Sequence, residues 1–325
     1  MSSRKDACAA SLVYLAVMAA CIWPKTAQAA EPVRVGKSAA TSFTFLVADV
    51  GVAEGMFAKH GLEVTVTAMA GDAKVQQALA AGSIDFGLGS GPAMAFAVKG
   101  APVIAVAAFA GAPRSISVVV ATDSPIKSPA DLKGKLLAIS TPGSLTEWLT
   151  KRLSTHEGWG PDGVKTVAVG SGQAMIAALR SGQVDGFMGS TEVGLQLESR
   201  QAGRILAEMD KFAPDFIDHV VFARKEVVRD HPAEVRRFLA GFFDAVAFMK
   251  ENREKTITLT SKLLHEDPAR MARIYDLEIS MLTRGGGFDP KAIEVLKDSF
   301  VDLGILPTRP KNDQLFTTAF LPKAD

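Results

Sequence analysis

The chain has 325 residues with 36 basic and 35 acidic side chains, a formal net charge of +1, 48% hydrophobic residues and two cysteines. So even a charge balance excludes a basic nucleic-acid face and a polybasic membrane patch. The hydrophobic share and the lack of any low-complexity tract place the chain among globular proteins.

Arg4 and Lys5 precede an apolar run from Ala7 to Ile22, and Ala27-Gln28-Ala29 has the small-x-small pattern of a signal peptidase site. Residues 1–29 therefore read as an export signal, since the run falls short of the roughly 20 apolar residues that cross a bilayer core. Met18-Ala19-Ala20-Cys21 is a loose lipobox, so lipid attachment at Cys21 is the alternative. Both cysteines, Cys8 and Cys21, lie in this segment, and its removal leaves 296 residues with no thiol for disulfides, nucleophiles or metal sites. Losing Arg4, Lys5, Lys25 and Asp6 with it leaves 33 basic and 34 acidic residues, a net charge of −1.

After the signal, strands and helices alternate. Val33 to Lys37 predicts a strand, Phe43 to Lys59 a helix stopped at His60-Gly61, Leu62 to Met69 a strand and Ala73 to Ala81 a helix. Ile84 to Leu88 is a strand, Pro92 to Lys99 a helix and Val103 to Phe109 a buried strand. Such alternation implies a parallel sheet covered on both faces. Ser115 to Ala121 is another strand, after which the pattern restarts. A short helix from Pro129 to Gly134, a strand from Leu136 to Ser140 and a helix from Leu145 to Thr155, stopped by Gly158, come next. A strand from Val164 to Val169, a helix from Gln173 to Ser181, a strand from Val184 to Met188 and a helix from Glu192 to Gln201 complete the set. Beyond Arg224 only helices are predicted: Pro232 to Asn252, Glu254 to His265, Pro268 to Leu282 and Pro290 to Leu303. Asp267-Pro268 and Asp289-Pro290 each place an N-cap before a first-turn proline.

Two segments one hundred residues apart, QALAAGSIDFGLGS (Gln77 to Ser90) and AALRSGQVDGFMGS (Ala177 to Ser190), agree at six of fourteen positions. Each is a helix capped by glycine (Gly82, Gly182), an Asp (Asp85, Asp185) and a short strand ending in Gly-Ser. Ligands sit at the carboxyl edge of parallel α/β sheets, so one unit per half suggests two half-sites facing each other. The expected architecture is α/β, with two Rossmann-like lobes joined by two hinge segments near Arg114 to Thr122 and Phe216 to Ala223. Residues 30–114 with 223–325 form lobe 1, residues 115–222 form lobe 2, and the C-terminal helices pack on the first lobe. Two crossings between lobes make closure over a central cleft the natural motion.

Searches for catalytic motifs fail. Gly36-Lys37-Ser38 has the tail of a phosphate-binding loop, but Glu31 stands where its first glycine belongs. No serine sits in G-x-S-x-G, no G-x-G-x-x-G follows a strand, and Gly285-Gly286-Gly287 reads as a loop between helices. His60, His156, His219, His231 and His265 form no ligand pair on one helix face, and the dipole explains His60 and His156 at helix C-termini. The reading is a non-enzymatic protein with no cofactor and no metal ion.

Small polar clusters open the helix after most strands: Ser38 to Phe43, Ala70 to Asp72, Ser90 to Pro92, Ser140 to Ser144, Gly170 to Gln173 and Gly189 to Glu192. Free N–H groups at helix starts carry partial positive charge and hold carboxylate, sulfonate or phosphate without arginine. Each cluster alone is equally an ordinary cap, as in the capping box of Ser144 with Glu147. The candidate ligand-binding set is Ser38, Thr41, Ser42, Phe43, Gly71, Ser90, Gly91, Thr141, Gly143, Ser144, Ser171, Gly189, Ser190 and Glu192. Phe43, Phe109, Trp148 and Phe187 are candidates for an apolar wall, Phe187 alternatively for the core. Glu192 either favours the helix dipole or meets an amine or amide of the ligand, and Arg114 pairs with an anion or with solvent.

With VRVGKS, DVGVAEGMFAKHGLEVTV, LAAGSIDFGLGS, SPADLKGKLLAIS and TPGSLTEWL in view, the chain resembles the periplasmic solute-binding proteins of the nitrate, sulfonate, taurine and thiamine-precursor type. The resemblance spans the chain beyond the signal and rests on the combination of segments. It implies a type II periplasmic binding fold and a monomer that delivers a small-molecule ligand to an ABC transporter permease and ATPase in the inner membrane. It places ligand contacts at Ser38, Thr41, Ser42, Phe43, Gly71, Ser90, Gly91, Ser144, Gly189 and Glu192. Thr191 departs from the aromatic that many relatives carry before the acidic residue, and Ser144-Leu145-Thr146 departs from the Ser-Thr-His of sulfonate types. These departures leave the subfamily unassigned, and the resemblance implies a small organic solute, either an anion such as a sulfonate or carboxylate or a heterocyclic thiamine precursor. An enzyme of the same fold and a sensor subunit presenting ligand to a membrane kinase are the alternatives. The enzymes that resemble this family depend on cysteines, which the mature chain lacks.

Overall fold

The structure is a computed structural model that describes residues 30–322; the predicted export signal, Cys8 and Cys21 lie outside them. No helix among the described residues is long and apolar enough to cross a membrane. The described residues hold ten strands: β1 (Glu31–Lys37), β2 (Leu62–Ala68), β3 (Phe86–Ser90), β4 (Val103–Ala110), β5 (Ile116–Val120), β6 (Leu136–Ile139), β7 (Lys165–Ala168), β8 (Gly186–Ser190), β9 (Arg204–Glu208) and β10 (His219–Arg224). They build two five-stranded sheets of one design, β2-β1-β3-β10-β4 and β7-β6-β8-β5-β9.

Neither sheet is wholly parallel, contrary to the alternation rule. β10 runs antiparallel between β3 and β4, and β5 runs antiparallel between β8 and β9. Connection length is the reason. β4 ends at the edge facing the other lobe, and residues 111–115 are too few for a crossover helix. The chain therefore steps straight onto the opposite sheet, with Ile116 beside Ser190, and runs backwards. β10 makes the return step with His219 beside Ser90. Each lobe thus receives one strand from a crossing segment. His219–Arg224 belongs to the first sheet, so a second lobe of residues 115–222 is corrected to end before His219. β9 had no predicted counterpart; its half-exposed edge position leaves little hydrophobic signal.

The repeated segments match in detail. Gly82 and Gly182 have φ of +70° and +71°, the left-handed cap that glycine adopts without strain. The carboxylate of Asp85 accepts the N–H of Arg34 at 3.0 Å and that of Asp185 accepts the N–H of Leu136 at 2.8 Å. Both aspartates therefore tie β3 and β8 to their parallel neighbours and are structural. The expected helix from Phe43 to Lys59 is interrupted: a 3-10 turn (Phe43–Phe45) leads into Leu46–Ala53, and Gly55 (φ +68°) turns the chain into Met56–Lys59. Likewise Pro92 to Lys99 begins as a 3-10 turn (Gly91–Met94).

The long C-terminal helix Pro232–Glu251 packs on the first lobe through a stripe of Val235, Phe238, Leu239, Phe242, Val246 and Met249, all buried at helical spacing. Phe238 stacks on Phe86 at 4.0 Å and on Phe57 at 5.3 Å between ring centroids. The helix Pro290–Asp302 sits at the junction and also touches the second lobe, where Trp148 donates to Asp302 at 3.3 Å.

Candidate functional site

The carboxyl edges of the two sheets face one another across a cleft of about 630 Å³. Its lining includes Ile116 and His219, the first residues of the two crossing strands. Nine of the fourteen candidates line it: Ser38, Thr41, Ser42, Gly71, Ser90, Ser171, Gly189, Ser190 and Glu192. They come from both lobes.

Five do not line it. The Phe43 side chain is fully buried edge-on to Tyr275, and only its amide reaches the second lobe. Gly91 donates to the Asp218 carbonyl, and a side chain there would strike the Ile217 carbonyl 2.2 Å away. Thr141 presses its methyl against Gly71. Gly143 lies against Ile305 and donates to Glu147 at 2.7 Å. Ser144 is 1% exposed, its hydroxyl held by Thr146 at 2.8 Å and by the Glu147 amide. Phe109, Trp148 and Phe187 are likewise core, and the apolar wall is made by Phe45, Leu145, Val193, Met271 and Ile274 instead. Arg114 pairs with Asp210 at 3.2 Å.

A physical rule separates the helix starts. Ser144 caps its own helix and is withdrawn from the cleft. By contrast, no side chain caps the helices Asp72–Ala80, Gln173–Arg180 and Thr191–Ser199, which follow Gly71, Gly172 and Ser190. The helix starts after Gly71 and Gly172 leave first-turn N–H groups for a ligand or water, whereas the Thr191 N–H already donates to the Ser115 carbonyl at 2.8 Å. A glycine at the N-cap position marks two of these starts in the sequence, while Ser190 at the third reads there no differently from Ser144.

Charge is concentrated in buried acids. Glu192, 6% exposed, accepts the Phe43 N–H at 2.5 Å across the cleft, while its second oxygen has no partner among the described residues. Burial pushes its carboxyl up to about 7, against the pull of the Phe43 amide. Asp72 accepts the amide and hydroxyl of Ser90 at 2.9 and 2.6 Å, yet burial raises it too. Behind them lie Asp218 and Glu278, both raised well above the ordinary range, by burial first and then by neighbouring carboxylates. Neither oxygen of Glu278 has a partner among the described residues. His219, between Phe45 and Phe109, has its pKa pushed down to about 3 by burial. Its contact with Asp218 at 3.2 Å is therefore one between a neutral ring and a carboxyl held toward its protonated form.

The arginines lining the cleft are Arg200, exposed, and Arg270, which pairs with Glu266 and donates to Ser199 at 3.2 Å. Arg270, Met271 and Ile274 belong to the helix Pro268–Glu278, so the C-terminal extension forms one wall. Sequence reasoning missed this wall and His219, because neither follows a strand-end cluster.

Residues 41–256 match the NMT1/THI5 like family. A protein of Brucella abortus (strain 2308), provisionally named as a binding protein, is 29% identical over 296 residues, covering 86% of this chain and 89% of that one. A Bacillus subtilis (strain 168) protein provisionally named as aliphatic sulfonates-binding is 26% identical, covering 71% of this chain and 69% of that one. Among solved structures, the alkanesulfonate-binding protein of Xanthomonas axonopodis pv. citri bound to MOPS superposes with a TM-score of 0.75 at 18% identity. It covers 86% of this chain and 95% of that one. The fold is thus that of the periplasmic binding proteins, with two lobes as expected.

Proposed function

The chain belongs to the NMT1/THI5 like family, and from that premise we propose that it is an exported, non-catalytic receptor that captures a small organic solute for an ABC importer. One observation carries the reading: uncapped helix starts from both lobes open on a single cleft whose walls are bridged by Glu192 and the Phe43 amide. Residues 111–115 and the stretch before His219 act as hinges. In the open state the N–H groups and the hydroxyls of Ser38, Ser42 and Ser90 are hydrated. A solute that bonds to both walls favours the closed state by its differential affinity. The closed pair of lobes is then the surface presented to the permease and ATPase in the inner membrane.

The charge pattern favours one class of solute. Glu192 and Asp72 are buried at the cleft while its arginines sit at the rim or are paired. A ligand with N–H donors directed to Glu192 and an acceptor directed to the helix starts fits this arrangement, as a heterocycle of the thiamine-precursor type would. The second reading, a sulfonate held by the helix starts, is favoured by the names of the relatives.

The test is a thermal-shift screen of the mature protein against aminopyrimidines, amides, carboxylates and sulfonates, followed by calorimetry. A ligand at 100 times its Kd adds about 2.7 kcal/mol, a plainly visible shift. Stabilisation by aminopyrimidines over sulfonates supports the first class and the reverse order supports the second. Turnover of any ligand seen by mass spectrometry refutes the receptor reading.

A further inference from the structure

At the other end of β1, away from the cleft, Glu31 opens the strand, and His231 and Glu234 open the helix Pro232–Glu251. One ligand atom from each of the three side chains lies within 4.8 Å of the other two. Glu234 is only 8% exposed and points into this group, with no hydrogen-bond donor of its own among the described residues. Its close polar neighbour is a second carboxylate, Glu31. Two carboxylates this close repel unless a proton or a cation lies between them. Arg237, one turn further along the helix, pairs with Glu31 and leaves Glu234 uncompensated.

An adjoining cavity of about 350 Å³ is bounded by His231, Glu234, Arg34, Asp85, Arg224 and Glu226. Asp85 is taken up by Arg34 at 2.7 Å and by Arg224, which also holds Glu226. Four carboxylates here face three guanidinium groups, so one negative charge is in excess beside an imidazole. We propose that Glu31, His231 and Glu234 form a binding site for a divalent transition-metal ion of the zinc class, with water from the adjoining cavity completing its coordination. One imidazole and two carboxylates suit zinc, which takes such ligands at about 2.0–2.2 Å in tetrahedral sites. Calcium, which needs six to eight oxygens, is disfavoured. Glu31 and His231 are half-buried and exposed, so their side chains can close the remaining distance. Bound metal ties the first strand to the long C-terminal helix from the side opposite the cleft.

The experiment is calorimetric titration of Zn2+ into tag-free mature protein previously stripped with EDTA, at pH 7.5 in a non-chelating buffer. One ion per chain with a Kd of about 10 µM or tighter is expected. His231→Ala should weaken binding by about tenfold or more, as should Glu234→Gln, while His265→Ala leaves it unchanged. His231 is exposed, so its variant should fold normally, as circular dichroism would check, and it decides the outcome even if Glu234→Gln does not fold. No stoichiometric binding at 100 µM Zn2+, or a His231→Ala affinity within twofold of the parent, overturns the site.

Discussion

Replacing Glu192 by Gln probes the buried acid at the lobe interface. Its carboxyl rises from 4.5 to about 7 on burial. A raised carboxyl pKa means that the folded protein binds the proton more tightly than the unfolded chain does. The stabilisation linked to it is complete below about pH 4.5 and lost as pH climbs through 7. At about 1.4 kcal/mol for each tenfold change in proton affinity, ionised Glu192 destabilises the closed protein by about 3 kcal/mol at pH 8. Gln has no charge to desolvate and still offers an oxygen to the Phe43 amide, and the charge-assisted part of that bond is already included in the net rise to about 7. Glu192→Gln should therefore be about 3 kcal/mol more stable than the parent at pH 8 and more stable by less than about 1 kcal/mol at pH 5. Thermal or urea denaturation of both proteins from pH 5 to 8.5 checks this. The difference between them reports Glu192 together with the relief its neutralisation gives Asp218 and Glu278. If it stays constant across that range, Glu192 does not carry the strained charge assigned to it.

Gly71→Ala meets φ of +108° and places its methyl carbon 2.8 Å from the Thr141 methyl of the facing lobe. It should prop the lobes apart, weakening solute binding by tenfold or more in calorimetry and enlarging the particle in small-angle scattering. Phe238→Ala removes the ring stacked on Phe57 and Phe86 and should destabilise the protein by about 3–5 kcal/mol in urea titrations, with unchanged solute affinity where it remains folded. Asp185→Ala hands the Leu136 amide to water, so a loss of about 0.5–1.5 kcal/mol is expected, seen as faster hydrogen exchange in β6 and β8. An unchanged exchange rate there would contradict the structural role given to the repeated aspartates.

The local pattern of the chain was enough to place nearly every strand and helix, the αβ repeat and the Asp-Pro starts of the late helices. Those features depend on side-chain periodicity, on glycine at left-handed caps and on proline in first turns, all determined within a few residues. It also placed Ser38, Ser90 and Glu192 at strand ends, which is why they line the cleft. Strand direction in β5 and β10 was not legible locally, because it depends on which sheet receives a short crossing segment. Nor was the withdrawal of Ser144, Gly143 and Phe43 into the interior, since a polar cluster reads alike whether its hydroxyl caps its own helix or faces a ligand. The bond from the Phe43 amide to Glu192 joins residues 149 apart, and the gathering of Asp218, His219 and Glu278 behind it draws on the second crossing and the C-terminal wall. Burial and charge pairing of that kind arise only when distant segments pack, so tertiary structure alone decided the electrostatics of the cleft.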